Sequence, residues 1–223
     1  MVVLATKCYV EGDARERALK SLGSLLDNAV GDLHVDTEIG VRSDEFVTVT
    51  VTGDDATAAR NALREQWGEI TDHFEPGETY TGTLDSWDDD GITLDAGEEI
   101  RIPSDELGLG QGTPSQIRER FGLVQHLPMG FVYGDPSRLA DAERDRLYEW
   151  TRGPGRVTVN SATRGEVRAT VNRAGHAQDI VTVERLGLLE QSIVCGEGTD
   201  PPGLLASIGE YLPAELRCVI GDE

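Results

Sequence analysis

The chain has 223 residues and a formal charge of −21, set by 41 acidic and 20 basic residues. Apolar residues make up 38% and recur in periodic segments, which excludes an acidic disordered chain. No run approaches the roughly 20 apolar residues of a membrane span, and Met1-Val2-Val3-Leu4 lacks the charged start of a secretory leader.

Only Lys7 and Lys20 are lysines, so 18 of the 20 basic residues are arginine. Carboxylates hold water and hydrated cations, whereas long Lys stems expose apolar surface. So many like charges would destabilise a compact state in dilute buffer. At 1 M salt the Debye length shrinks to about 3 Å and that repulsion fades. Asp54-Asp55 and Asp88-Asp89-Asp90 therefore read as solvated, salt-adapted surface; the ligand order and closing Glu of a calcium loop are missing. Cys8, Cys195 and Cys218 are odd in number and widely spaced, as expected of reduced core residues. A cytoplasmic location without membrane contact is expected.

Residues 1–72 open with an apolar run from Val2 to Val10. A helical pattern follows through Ala14, Ala18, Leu22, Leu25, Leu26 and Val30. Two alternating stretches, His34 to Val41 and Phe46 to Val51, flank a Ser43-Asp44-Glu45 break that suits a hairpin. Asp54-Asp55 stands where a helix cap belongs, ahead of Ala56 to Ile70. The order β-α-β-β-α predicts an α+β sandwich.

Residues 73–135 change character. Short strands at Tyr80 to Leu84, Ile92 to Leu94 and Ile100 to Pro103 alternate with Gly- and Asp-rich turns. A helix from Pro114 to Phe121 and a strand from Met129 to Tyr133 complete a small predicted barrel. Gly77-x-x-Tyr80-x-Gly82, followed by Gly91-Ile92-Thr93-Leu94 and a strand ending at Pro103-Ser104, resembles an S1-type OB barrel.

Residues 136–223 return to α+β. A polar helix from Leu139 to Thr151 stops at Gly153-Pro154-Gly155. Then come a strand (Arg156 to Asn160), a helix (Gly165 to Ala177), two strands (Ile180 to Arg185, Glu190 to Cys195), a helix (Pro202 to Leu212) and a strand (Leu216 to Ile220). That β-α-β-β-α-β order is ferredoxin-like. The expected fold is thus two α/β sandwiches flanking a small barrel. Through the segments Arg118 to Pro128 and Gly198 to Leu205, the chain resembles an uncharacterised archaeal, halophilic-type protein family with a central S1-like module. The resemblance implies an origin and carries no catalytic residues over.

The charge map supplies the candidate site. From Arg144 to Arg173 seven arginines face three acids, a stretch of +4 in a chain otherwise at −25. Arginine forks onto phosphate and stacks on bases, and Tyr148 and Trp150 inside the stretch offer aromatic platforms. Arg101, Arg118, Arg120, Tyr148, Trp150, Arg152, Arg156, Arg164 and Arg168 are the predicted nucleic-acid contacts. The bland alternative pairs these arginines with neighbouring carboxylates. Separately, Gly198-Thr199-Asp200-Pro201-Pro202-Gly203-Leu204-Leu205 resembles the turn and helix start of ACT-type ligand-sensing domains, where Asp200 would cap and Gly203 would admit a small ligand; an ordinary capped helix is the competing reading.

His34, His73, His126 and His176 show no zinc spacing, no Ser stands in a nucleophile elbow, and Gly108-x-Gly110-x-Gly112 lacks the Lys of a phosphate loop. No metal, cofactor or catalytic residue is expected. The expectation is a non-enzymatic RNA-binding or ribonucleoprotein-associated protein of translation or RNA processing. A protein–protein adaptor and a small-ligand sensor are its rivals.

Overall fold

The computed structural model describes residues 1–221 and has a mixed α+β fold with three antiparallel sheets. In the N-terminal unit, β1 (Val2–Lys7), β2 (Asp36–Val41) and β3 (Phe46–Thr52) form a sheet in the order β1-β3-β2. Helices α1 (Gly12–Val30) and α2 (Ala56–Trp67) complete this unit. The buried side of α1 is Ala18, Leu22, Leu26 and Val30, one residue per turn. These meet Val2, Leu4, Val47, Val49 and Val51 from the sheet and Leu63 and Trp67 from α2. Burying each such large side chain contributes about 1.5–3 kcal/mol. Asp55 stands at the start of α2 but leaves the helix uncapped. Its carboxylate instead accepts the backbone N–H of His34 at 2.9 Å.

The central unit is a five-stranded sheet in the order β6-β5-β4-β7-β8. Its strands are β4 (Thr79–Asp88), β5 (Gly91–Asp95), β6 (Glu99–Pro103), β7 (Pro128–Val132) and β8 (Arg138–Leu139). The sheet curls until β6 and β8 approach each other, making a half-barrel around Leu84, Ile92, Leu94, Ile102, Phe121 and Phe131. Helix α3 (Pro114–Phe121) begins with a capping box in which Thr113 and Gln116 satisfy each other's backbone N–H groups. It stops at Gly122, whose φ of +62° favours glycine. A Cβ there would also lie 2.7 Å from a Val219 methyl and 3.0 Å from the Thr158 hydroxyl.

The unit does not end at 135. β8 pairs with β7, and α4 (Asp141–Trp150) buries Leu147 and Trp150 in the same core. Sequence alone assigns α4 to the third unit because its apolar face is too sparse to reveal its partner. Leu139 also proves to be strand rather than helix. The Gly108 to Gly112 loop is tied down: Arg120 donates to the carbonyls of Leu109 (3.1 Å) and Gln111 (2.7 Å), and the Tyr148 hydroxyl to that of Gly108 (3.4 Å).

The C-terminal unit comprises β9 (Arg156–Val159), α5 (Arg164–Arg173), β10 (Ile180–Arg185), β11 (Gln191–Cys195), α6 (Pro201–Gly209) and β12 (Leu216–Val219). Its sheet runs β10-β11-β9-β12. Val157, Val159, Val183, Ile193 and Cys195 face Val167 and Val171 of α5 and Leu204 and Ile208 of α6. The opposite face meets the central unit, where the Thr158 hydroxyl donates to the Gly122 carbonyl.

The three units interlock. Leu188 and Leu189, from the β10–β11 hairpin, enter the N-terminal core, and the Leu188 N–H donates to the Thr6 hydroxyl at 2.9 Å. Lys7, nearly buried, pairs with Asp95 at 2.6 Å. Glu215 accepts the Gln125 N–H at 2.9 Å. No helix among the described residues is long and apolar enough to cross a membrane.

Candidate functional site: an arginine groove

Three arginines of the Arg144–Arg173 stretch, joined by Arg185, converge on a groove of about 580 Å³ between α4 and the edge strand β10. Arg146, Glu149 and Trp150 come from α4, Arg156 from β9, Arg164 from the first turn of α5, Thr182 to Arg185 from β10, and Leu186 from the residue after it. Helix α5 is fixed by a capping box between Thr163 and Glu166, which sets Arg164 beside β10. The Arg164 Nε donates to the Val183 carbonyl at 2.6 Å, occupying an acceptor that an edge strand would leave open.

The guanidiniums differ in how they are neutralised. Arg146 pairs with Glu143, and Arg156 pairs with Glu184 and reaches the Ser192 hydroxyl at 3.4 Å. Arg164 and Arg185 enter no ion pair among the described residues. Arg185 lies over the Trp67 ring, 4.9 Å from its centroid. Partial burial and the charge of Arg164 hold its pKa below the usual arginine value. Four arginines against Glu149 and Glu184 leave the lining with an excess of positive charge in a strongly acidic chain.

Of the predicted contacts, the groove brings together Trp150, Arg156 and Arg164. Trp150 is only 3% exposed, with the guanidiniums of Arg146 and Arg156 5.2 and 5.5 Å from its ring centre, so it is core and offers no free stacking face. Arg118 is likewise buried. It donates to the Leu123 carbonyl (3.1 Å), pairs with Glu215, and lies 3.1 Å from the centre of the Trp87 ring. Burial holds its pKa below the usual arginine value. Both are structural residues, because their polar and aromatic surfaces are already used.

Arg101 pairs with Asp88 across the central sheet and holds that carboxyl below its usual pKa. Arg120 is committed to the Gly-rich loop, and Tyr148 meets the edge of Phe121 at 5.3 Å. Arg152 and Arg168 are exposed and stand outside the groove lining. Asp200 accepts the Gly203 N–H at 3.1 Å as the cap of α6, with Pro201 and Pro202 opening the helix. A cavity of about 350 Å³ beside this turn is lined by His176, Asp179, Asp200 and Gly203, and His176 and Asp179 bond to each other at 2.6 Å.

The order of elements, three sheets in three successive segments, coincides with three family models. Residues 1–73 match the DUF2110 N-terminal domain, 74–151 the DUF2110 central domain, and 154–220 the DUF2110 C-terminal domain. The chain belongs to the DUF2110 family. The central DUF2110 model runs through α4, as the packing of Leu147 and Trp150 requires. No curated protein matches the chain.

Two groups of residues in this DUF2110 member escape the sequence reading. Arg185 sits beside Glu184, so a running charge count cancels it; in space Glu184 serves Arg156 instead. The second group is a polar junction where all three DUF2110 domains meet. The Tyr9 hydroxyl donates to the Glu190 Oε1 at 2.7 Å and accepts the Ser161 N–H at 2.9 Å, while the Tyr9 ring stacks on His126 at 3.9 Å. Glu190 is fully buried, and burial pushes its pKa up to about 8. Burial, with Lys7 nearby, pushes His126 down to about 4. Glu190 Oε2 and His126 Nδ1 are buried with no hydrogen-bond partner among the described residues. His126 and Ser161 take φ of +68° and +58°, a conformation costing non-glycine residues about 1–3 kcal/mol. These contacts tie the three domains together at one point.

Proposed function

We propose that the chain is a non-enzymatic RNA-binding protein of translation or RNA processing, working in a high-salt cytoplasm, and that it holds RNA at the arginine groove. The observation that carries this reading is the convergence of Arg146, Arg156, Arg164 and Arg185 in one groove of a chain with a net charge of −21. Positive charge concentrated against such a background attracts a polyanion, and arginine forks suit phosphate oxygens.

The folds are compatible with it. The order β10-β11-β9-β12, with α5 and α6 on one face, supports a ferredoxin-like arrangement. In the central unit α3 falls between β6 and β7, and β7 returns to pair with β4, as in an S1-type OB barrel. These are fold-level analogies. Trp87 is covered by Arg118, and the adjoining turn carries Asp88, Asp89 and Asp90. RNA binding through the barrel's strand face is therefore disfavoured, and the groove is the better site.

Fluorescence anisotropy with ribosomal RNA fragments in 1–3 M KCl tests the reading. Arg164→Gln/Arg185→Gln should weaken binding at least tenfold, as expected for losing two charge-assisted contacts. Absence of binding by the unaltered chain, or indifference to the double change, overturns the proposal.

A further inference from the structure

We infer that the Arg164–Arg185 end of the groove is a seat for a phosphomonoester dianion, supplied by an RNA terminus or by a small phosphorylated metabolite. The RNA source rests on the reading above; the seat itself rests on the side-chain arrangement.

The groove is not uniform. Arg146 and Arg156 spend their charge on Glu143 and Glu184, whereas Arg164 and Arg185 have no carboxylate partner among the described residues. Of the arginines that enter no ion pair among the described residues, Arg164 and Arg185 stand together in one groove. Their mutual repulsion is unfavourable, and it shows in the depressed pKa of Arg185, to which both burial and Arg164 contribute. A bound dianion relieves that repulsion.

The geometry favours a forked contact from both residues. Arg164 uses its Nε on Val183, and among the described residues its two terminal nitrogens have no hydrogen-bond partner. Arg185 is half-buried, and the Trp67 ring beneath it restrains its plane. Restrained guanidinium forks match phosphate oxygens better than a flexible ammonium does.

Charge distinguishes a monoester from a continuing diester backbone. In the remainder of the groove Arg146 and Arg156 are already paired with Glu143 and Glu184, and Glu149 adds a further carboxylate, so a second and third phosphate would find no free cation there. A terminal monoester carries roughly −1.5 to −2 on one group, because its second pKa is about 6. One concentrated charge suits two adjacent cations, and nothing further along the groove needs to bind phosphate.

Titration of the full chain in 1 M KCl tests this by calorimetry and ³¹P NMR. The probes are inorganic phosphate, ribose 5-phosphate, and one RNA hexamer prepared with a 5′-phosphate, a 3′-phosphate or hydroxyl ends. Phosphate and at least one phosphorylated probe should bind, with affinity falling below pH 6 as the dianion is protonated. Arg185→Gln and Arg164→Gln should each weaken binding about tenfold or more. Arg173→Gln, the same charge change elsewhere on α5, should leave it unaltered. Arg185→Lys keeps the charge and should still lose several-fold, which covers a Gln variant that fails to fold. Equal affinity for hydroxyl-ended and phosphorylated RNA overturns the seat while leaving RNA binding intact. Binding of phosphate and ribose 5-phosphate without any RNA keeps the seat and overturns the RNA reading. No binding by any probe overturns both.

Discussion

Glu190 gives the most direct physical test of the domain junction. Its carboxyl is fully buried, accepts from Tyr9, and has a pKa of about 8 against an ordinary 4.5. The folded chain therefore keeps a proton that the unfolded chain releases above pH 4.5. Stability from this group is complete below 4.5 and is lost as pH rises through 8. His126 acts in the opposite sense. Its folded pKa of about 4 lies below the ordinary 6.5, so stability is lost as pH falls from 6.5 toward 4. The two slopes offset each other between about 4.5 and 6.5, and above 6.5 only Glu190 remains. At about 1.36 kcal/mol per pH unit, unfolding free energy should fall by about 2 kcal/mol between pH 6.5 and 8. Glu190→Gln keeps the neutral form's shape and abolishes that decline, and it exposes the rising His126 slope below 6.5. Urea unfolding at fixed KCl, measured every half unit from pH 4.5 to 9, reads both effects. Parallel curves for the two proteins from pH 6.5 to 8.5 would refute the assignment of a neutral, buried Glu190.

Tyr9→Phe removes the donor to Glu190 and leaves the Ser161 N–H without its acceptor, which should cost about 1–3 kcal/mol. Because the Tyr9 hydrogen bond lowers the Glu190 pKa, the same variant should move the decline to higher pH in the same titration. Arg118→Leu should destabilise by about 1–3 kcal/mol in urea, since the Leu123 carbonyl loses its buried donor and Glu215 keeps only Arg217 as its cation, while phosphate affinity at the groove stays unchanged. Gly122→Ala should lower stability by about 1–3 kcal/mol by differential scanning calorimetry, from its positive φ and the crowding against Val219 and Thr158.

Periodicity carried most of the secondary structure. The four-residue spacing of Ala18, Leu22, Leu26 and Val30 defines the buried side of α1, and the alternation of Phe46 to Val51 defines β3, because local geometry alone fixes which side chains share a face. Gly-Pro punctuation at 153–155 marks the end of α4 for the same reason. Composition determined the acidic background, and with it the arginines from 144 to 173 as an exception.

Which of those arginines face a ligand is a matter of tertiary contact. Arg118 and Trp150 read as surface groups, yet Glu215, nearly a hundred residues away, claims the first, and two guanidiniums cover the second. Arg185 reads as neutralised by Glu184, yet pairing across the sheet gives Glu184 to Arg156 and leaves Arg185 beside Arg164. Tyr9, His126 and Glu190 belong to three different units and meet only when these dock. A sequence lists charges along a line. Their partners, and so the charges left over, are set by long-range packing.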